Sequence, residues 1–190
     1  MIRLPFMDEM VRAVLARRKT VTRRTSERWR DVPPGTEIVG NETFALPKRL
    51  DGISPTKAGQ NALDAGYSSP WAPVWYRADG RFNNAVELRY ANDPDEWGGM
   101  GKWRPPMFMP TWASRLRLRV VSVTEQHSAA RDVVWRGCVS RLVMPDVDDA
   151  EARLEGFENR AGFMALWNSM HPDYNGPVFR VQFEVIDAAT

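Results

Sequence analysis

The chain has 190 residues, of which 43% are hydrophobic and 26% are charged, a composition typical of globular proteins. This composition excludes wholesale disorder, and no apolar run approaches the ~20 residues that span a bilayer. One cysteine, Cys138, excludes an internal disulfide, and with only two histidines the chain offers no convincing zinc site. We expect a single domain over residues 1–190 in a reducing cytoplasm, with no metal, no cofactor and no membrane contact.

The net charge of +2 conceals an uneven distribution along the chain. Residues 1–30 carry nine Arg or Lys against three acidic residues, and residues 101–141 carry eight against two. Residues 142–160 are acidic, with six carboxylates against two arginines. If the two basic segments meet in the fold, they form a positive surface that attracts a polyanion such as nucleic acid. The alternative is that these cations lie on ordinary solvated faces.

The N-terminal half of the sequence predicts one helix and two strands. Apolar residues recur at spacings of three and four between positions 7 and 15, which predicts a helix over residues 7–18. A strand is predicted over residues 36–46 and a shorter one over residues 74–77. The rest of the stretch from about 47 to 101 shows no clear period, and we interpret it as an irregular insertion.

The C-terminal half predicts alternating strands and helices. Apolar residues alternate with arginines over residues 115–126, which indicates a strand with one apolar and one basic face. Ser128 is a typical N-cap residue, and a helix is predicted over residues 129–137. A second helix is predicted over residues 160–170 and a last strand over residues 178–186. This order of elements favours an α+β fold over a doubly wound parallel sheet.

The segment 17–24 concentrates basic and hydroxyl side chains directly after the first predicted helix. Arginine forks and lysine point charges bind phosphate, and hydroxyl groups donate short hydrogen bonds. We therefore predict ligand contacts at Thr20, Arg23 and Arg24. The alternative is structural, because basic helix ends are common in ordinary proteins.

A second segment, residues 101–115, interleaves tryptophans with basic residues and prolines. Its three prolines favour an extended backbone, and an aromatic ring beside a cation is a surface on which unstacked bases stack. The predicted ligand contacts of this segment are Lys102, Trp103, Arg104, Trp112 and Arg115. The alternative is that the two tryptophans fill the core of a small barrel.

Two further polar side chains are candidates for the same site. Glu42 lies on the predicted strand 36–46, and Arg77 lies at the end of the predicted strand 74–77. Each is by itself an ordinary surface residue. In chain order, however, these segments resemble a known family. Its motifs here are Arg18-Lys19-Thr20-Val21-Thr22-Arg23-Arg24, Glu42-Thr43-Phe44, Tyr76-Arg77-Ala78-Asp79-Gly80, Lys102-Trp103-Arg104-Pro105 and Met109-Pro110-Thr111-Trp112-Ala113-Ser114-Arg115.

The chain resembles the ASCH-domain proteins of phages and prophages over most of its length. The resemblance implies a PUA-like fold, a small mixed β-barrel with flanking helices, here carrying a long insertion. It also implies a cleft associated with RNA or modified nucleosides. For a phage-encoded protein, the expected location is the cytoplasm of the bacterial host.

One branch of this superfamily consists of amidohydrolases that deacetylate acetylcytidine. The resemblance maps their catalytic Lys and Thr onto Lys19 and Thr22, and the glycine at their helix end onto Arg17. Their catalytic Glu maps onto Arg136, which cannot act as a general base because a guanidinium offers no acceptor. The other candidate carboxylates are Asp132 and Glu42. The resemblance therefore predicts a poor deacetylase.

Three hypotheses follow from the sequence. The first is binding of RNA, single-stranded nucleic acid or a modified nucleoside in a basic, Trp-lined cleft. The second is hydrolysis of an acylated or modified nucleoside, with Lys19, Thr22 and Glu42 as the catalytic set. The third is a phage accessory protein with a vestigial cleft. We further predict that Lys19, Thr22, Arg104 and one of the two tryptophans converge on one pocket.

Overall fold

A computed structural model describes residues 1–83, 98–127, 129–135, 138–144, 147–172 and 174–188. Helices and strands alternate irregularly along the chain, so the fold is α+β, as the sequence predicted. The described elements, in chain order, are β1 (Ile2–Pro5), α1 (Asp8–Leu15), β2 (Val21–Arg24), β3 (Glu37–Asn41), β4 (Phe44–Pro47), α2 (Pro55–Asp64), β5 (Val74–Tyr76), β6 (Phe82–Asn83), β7 (Met100–Arg104), β8 (Leu116–His127), β9 (Ala129–Trp135), β10 (Cys138–Met144), α3 (Asp149–Leu154), α4 (Arg160–Met170) and β11 (Pro177–Ala188). No helix in these ranges combines the length and the apolar character that crossing a membrane requires.

The chain divides into two compact units. Unit 1 consists of Met1–Arg12, Ile38–Arg117 and Asp187–Thr190, and unit 2 consists of Ala13–Glu37 and Leu118–Ile186. The single domain that the sequence predicts over residues 1–190 stays a prediction.

Unit 1 contains a four-stranded sheet with the order β6-β5-β4-β7, whose paired strands are antiparallel. Among the described strands, β7 therefore forms one edge of this sheet. β1 pairs in parallel with β3. The core of unit 1 is built on β4 and β5 and on two short turns of 3-10 helix that follow β7. Its largest buried side chains are Phe44, Leu46, Val74, Tyr76 and Met109.

In unit 2, β11 lies between β8 and β2 and runs antiparallel to β2. The two strands β9 and β10 form a separate antiparallel hairpin. The apolar faces of α3 and α4 enclose a second core. It contains Val147, Ala152, Phe163, Met164, Trp167 and Val178. The predicted strands 115–126 and 178–186 therefore belong to one sheet, as the period of two indicated.

Several predicted elements are confirmed because local signals define their ends. α4 begins where predicted, since the Asn159 side chain accepts a hydrogen bond from Gly162 N at 3.0 Å. In β8, Leu118 and Val120 are buried while Arg119 is exposed, so the predicted alternation holds. The short strand predicted over residues 74–77 is β5.

Other predictions are corrected by the structure. Residues 129–135, which were predicted as part of a helix, form strand β9. The reason is that β10 supplies the backbone partners, in seven residue pairs that run from Ala129 opposite Met144 to Trp135 opposite Cys138. Residues 47–73, predicted to be irregular, contain α2, whose Ser54 cap accepts from Lys57 N at 3.2 Å. The predicted strand 36–46 is interrupted between β3 and β4 at Glu42 and Thr43.

A close approach inside unit 1 gives a test of the packing. Gly59, in the middle of α2, faces the indole of Trp112, and a β-carbon there would lie 2.7 Å from Trp112 Cε2. Gly59→Ala should therefore lower the free energy of unfolding. Overpacking costs about 1 to 3 kcal/mol, whereas the higher helix propensity of alanine stabilises the helix by at most about 1 kcal/mol. Urea denaturation measures the change.

Gly162→Ala in α4 is the matched control. A β-carbon at Gly162 would meet its nearest neighbour, Phe157 Cδ1, at 3.6 Å, which is ordinary contact. Gly162→Ala should thus leave stability unchanged or raise it by up to about 1 kcal/mol. A Gly59→Ala variant as stable as the native chain would mean that Trp112 is not packed against α2.

Candidate functional site

The basic segment 17–24 is divided between a turn and a strand. After α1, Arg17 adopts a φ of +55°, a conformation that favours glycine. Arg17 N donates to Val14 O at 2.9 Å and Arg18 N donates to Ala13 O at 2.9 Å, which closes the turn. The chain then enters β2, which carries the last four residues of the segment.

Lys19 is buried, with 2% of its surface exposed. Its ammonium donates to Val21 O at 2.7 Å, to Glu155 O at 2.7 Å and to Glu155 Oε2 at 2.6 Å. These three acceptors engage all three N–H groups of the side chain. Burial lowers the pKa of Lys19, and the Glu155 carboxylate opposes that effect. Glu155 is therefore the charged partner of this buried ammonium.

The network extends from Glu155 through two arginines. Arg23 donates to Glu155 Oε1 at 3.1 Å and to Glu151 Oε2 at 2.8 Å. Arg180 donates from Nε and Nη2 to the two oxygens of Glu151, each at 2.9 Å. We call Lys19, Arg23, Glu151, Glu155 and Arg180 the Lys19 cluster. Three cations share two carboxylates inside unit 2, so each carboxylate bridges two cations.

Thr22, the second predicted catalytic residue, is buried on β2. Arg24, a predicted ligand contact, is half-buried, with Nη1 3.5 Å from Arg23 O. Arg136 lies outside the described residues, and Asp132 lies on β9, a strand and not the predicted helix. The carboxylate beside Lys19 is Glu155, which sequence reasoning did not single out.

The Lys19 cluster makes stability depend on pH in a defined direction. Hydrogen bonds from Arg180 and then Arg23 hold the pKa of Glu151 at about 2, below its ordinary value of 4.5. Stability from this charge is complete above pH 4.5 and is lost as the pH falls through about 2. In Glu151→Gln, the free energy of unfolding should therefore fall less steeply with acidification than in the native chain.

Urea denaturation at a series of pH values between 4.5 and 2 measures this slope. Glu158→Gln is the matched control, because Glu158 is exposed and should leave the slope as it is. Equal slopes for the native chain and Glu151→Gln would contradict the ion pairs to Arg180 and Arg23.

Unit 1 holds a second buried ion network, centred on Arg115. The guanidinium donates to both oxygens of Glu42, at 2.8 and 2.9 Å, and to Asp79 Oδ2 at 2.7 Å. It also lies over the Tyr76 ring, 4.1 Å from the centroid. Glu42 has none of its surface exposed, and this burial raises its pKa although Arg115 opposes the effect. Both oxygens of this predicted catalytic carboxylate thus accept from Arg115.

The predicted ligand contacts on β7 differ in exposure. Lys102 is exposed, and Trp103 keeps 39% of its surface exposed. Arg104 is buried and donates to Leu50 O at 3.1 Å. Lys102 N donates to Asp51 Oδ1 at 3.1 Å, which fixes the strand beside the preceding turn. Of the predicted contacts on this strand, Lys102 and Trp103 are therefore the ones that a ligand can reach.

Two more predicted contacts of unit 1 have intramolecular partners. Trp112 is half-buried and packs against the core of the unit. Arg77 is exposed and donates to Asp8 Oδ2 at 2.6 Å. The predicted pocket joining Lys19 and Thr22 with Arg104 and a tryptophan draws on residues of both units and stays a prediction.

A cavity of about 340 Å³ lies in unit 2. Thr20 is the predicted ligand contact among the side chains that line it. The other lining residues are Arg17, Val121, Gln182, Phe183, Glu184 and Val185. Phe183 N donates to Thr20 O at 2.8 Å, which holds Thr20 against β11.

Comparisons with known proteins identify no relative: no family model, curated protein or solved structure matches this chain. Within the described ranges, no group of three His, Cys, Asp or Glu side chains is placed to hold a metal ion.

Proposed function

We propose that unit 1 binds single-stranded nucleic acid through the exposed side of β7 and the turn that follows it. We call this the β7 surface, and it consists of Met100, Lys102, Trp103, Met107 and Phe108. The observation that carries the proposal is that Lys102 and Trp103, consecutive residues of β7, both have exposed side chains. As neighbours on a strand they project to opposite faces, so a ligand that lies along β7 meets a cation on one side and an indole on the other. Only part of the basic segment 101–115 contributes to this surface, because Arg104 and Arg115 are buried.

Four apolar side chains of the β7 surface are exposed within nine residues of the sequence. Met107 and Phe108 are 71% and 57% exposed, and Met100 and Trp103 lie within the preceding eight residues. Single exposed apolar residues are normal, whereas a cluster of them marks an interaction site. Aromatic rings bind nucleic acid by stacking on bases, and each such contact contributes about 1 to 3 kcal/mol.

Charge near the β7 surface favours a polyanion over an apolar partner. Lys48 N donates to Gly99 O at 3.0 Å, so the turn that carries Lys48 and Arg49 lies beside the start of β7. The side chains of Lys48, Arg49 and Lys102 are exposed. Among the residues that the structure describes, Asp51 accepts from Lys102 N and lies 3.7 Å from Arg104 Nη2. The exposed ammonium groups of Lys48 and Lys102 are of the kind that binds phosphate.

The geometry favours a single strand. In a duplex the base faces are stacked on one another, so Trp103 and Phe108 could not reach them. An unpaired strand offers its base faces and its phosphates together. The resemblance to ASCH-domain proteins, with their RNA-associated cleft, supports the same class of ligand.

Fluorescence anisotropy of labelled oligonucleotides tests the proposal. Unstructured DNA and RNA strands of about 12 nucleotides should bind, and the corresponding duplex should bind more weakly. Trp103→Ala should weaken single-strand binding about 5- to 150-fold, the loss of one stacking contact. Lys102→Ala should weaken binding of all sequences alike and reduce the log–log salt slope by about one.

Lys57→Ala is the matched control for Lys102→Ala, because Lys57 is an exposed lysine of unit 1 that lies on α2. It should leave affinity and salt slope unchanged. Native affinity in the Trp103→Ala variant, or a duplex bound as tightly as the single strand, would reject the proposal.

A second candidate function is hydrolysis of an N-acylated nucleoside. The observation that favours it is a carboxylate oxygen, Glu155 Oε2, 2.6 Å from Lys19 Nζ, with Thr22 on the adjoining strand. Water would add to the acyl carbon, the amide bond would break, and the amine and the free acid would leave. The three hydrogen bonds that Lys19 donates favour the nucleic-acid proposal over this one.

Release of acetate from acetylcytidine tests this alternative. Turnover by the native chain that is lost in a folded Thr22→Val variant would support it. No release by the native chain would reject it.

A further inference from the structure

Arg17 adopts a backbone conformation that its side chain disfavours. Among the described residues, it is the one non-glycine residue with positive φ. The turn that it forms is closed by backbone hydrogen bonds alone, from Arg17 N to Val14 O and from Arg18 N to Ala13 O. Glycine would satisfy this turn without strain. Strain of this kind points to a role for the side chain.

The Arg17 side chain lines the cavity of about 340 Å³ in unit 2. This volume lies at the lower end of the range for small-molecule sites, which suits a ligand of amino-acid size. Thr20 contributes a hydroxyl and Gln182 an amide to the lining. The apolar residues of the lining are Val121, whose side chain is exposed, and Phe183 and Val185 on β11.

The cavity carries both signs of charge. Arg17 contributes a guanidinium, which matches the geometry of a carboxylate. Glu184 contributes a carboxylate, and its Oε1 lies 3.2 Å from Arg119 Nη1. This ion pair is exposed, so it is weak, and a ligand ammonium can share the carboxylate with Arg119.

We propose that this cavity binds a small zwitterion with an apolar body, of the class of apolar α-amino acids. The ligand carboxylate pairs with Arg17 and accepts from the Thr20 hydroxyl. The ligand ammonium faces Glu184, and the apolar side chain packs against Val121, which lies on the same face of β8 as Arg119, the partner of Glu184. This site is independent of the β7 surface, since all its residues belong to unit 2.

Three probes with the same apolar body distinguish the contribution of the ligand carboxylate from that of the ligand ammonium. They are leucine, 4-methylpentanoate, which lacks the ammonium, and 3-methylbutylamine, which lacks the carboxylate. Each is titrated into the 15N-labelled chain while backbone amide signals are followed by NMR. Leucine should shift the amides of Thr20, Val121 and residues 182–185. The other two probes should bind at least several-fold more weakly, because each loses one charged contact.

Two variants complete the test. Arg17→Gly should weaken leucine binding at least about tenfold, the loss of a charge-assisted pair, with an unchanged or higher melting temperature. Arg18→Ala removes an equal charge from the neighbouring exposed residue and should leave leucine binding unchanged. Glu184→Gln should reduce the preference for leucine over 4-methylpentanoate.

Any of three results would overturn the proposal. The first is the absence of amide shifts with leucine up to about 10 mM, a concentration that detects even millimolar affinity. The second is equal binding of leucine by the native chain and Arg17→Gly. If 4-methylpentanoate binds as tightly as leucine, the ligand class is wrong, because the ammonium then makes no contact.

Discussion

Replacing Glu155 by glutamine is expected to lower the free energy of unfolding by about 3 to 5 kcal/mol, the usual cost of leaving a buried charge unpaired. Glu155 accepts from Lys19 through one oxygen and from Arg23 through the other. Glutamine would retain one acceptor but no negative charge, and both cations are buried. This is one of the two largest effects that we expect from a single substitution. Urea denaturation monitored by circular dichroism measures it.

Glu158→Gln is the control, because Glu158 is exposed and three residues further along the chain. It should change stability by no more than about 0.5 kcal/mol. Combining Lys19→Met with Glu155→Gln should cost less than the sum of the single variants, since the double variant buries one cation fewer. Additive costs, or a loss below about 1 kcal/mol in Glu155→Gln, would show that the Lys19 cluster is not energetically coupled.

Arg115→Met should destabilise the chain to a similar extent, about 3 to 5 kcal/mol. The substitution removes both N–H donors from Glu42, which is fully buried, and one partner from Asp79. It also removes the cation that lies 4.1 Å from the centre of the Tyr76 ring. Methionine fills much of the volume, so the loss reports on charge and hydrogen bonding rather than on a cavity.

Two further variants sharpen this test. Arg81→Met removes an exposed arginine whose Nε lies 3.7 Å from Asp79, and should cost no more than about 1 kcal/mol. Arg115→Lys keeps the charge but cannot donate to both oxygens of Glu42 in the fork geometry, so its stability should be intermediate. An Arg115→Lys variant as stable as the native chain would mean that the paired hydrogen bonds contribute little.

These clusters explain why the basic segments of the sequence overstate the basic surface of the protein. Lys19 and Arg23 in the first segment, and Arg104 and Arg115 in the second, are buried and donate to carboxylates or carbonyl oxygens. A count of charges along the chain cannot separate such cations from exposed ones. Lys102, in contrast, is exposed and remains available to a phosphate group.

The candidate site also shows that sequence patterns do not identify the partners of buried charges. Sequence patterns selected Lys19 as a catalytic candidate and Arg23 and Trp103 as ligand contacts, and these roles stay predictions. They did not identify Glu155, which lies 136 residues after Lys19, because a single carboxylate carries no local signal. The one available hint was the acidic composition of residues 142–160, which complements the basic segment 1–30.

The sequence by itself determined the elements whose signals are local. Helix α4 and its Asn159 cap lie within twelve residues, and more and less buried residues alternate over residues 116–120 of β8 and 179–184 of β11. Tertiary structure alone decided that residues 129–135 are a strand, since their backbone hydrogen bonds come from the partner strand β10. It alone decided which carboxylates neutralise Lys19 and Arg115. Burial makes an unpaired charge costly, so these partners are chosen in space and not by spacing along the chain.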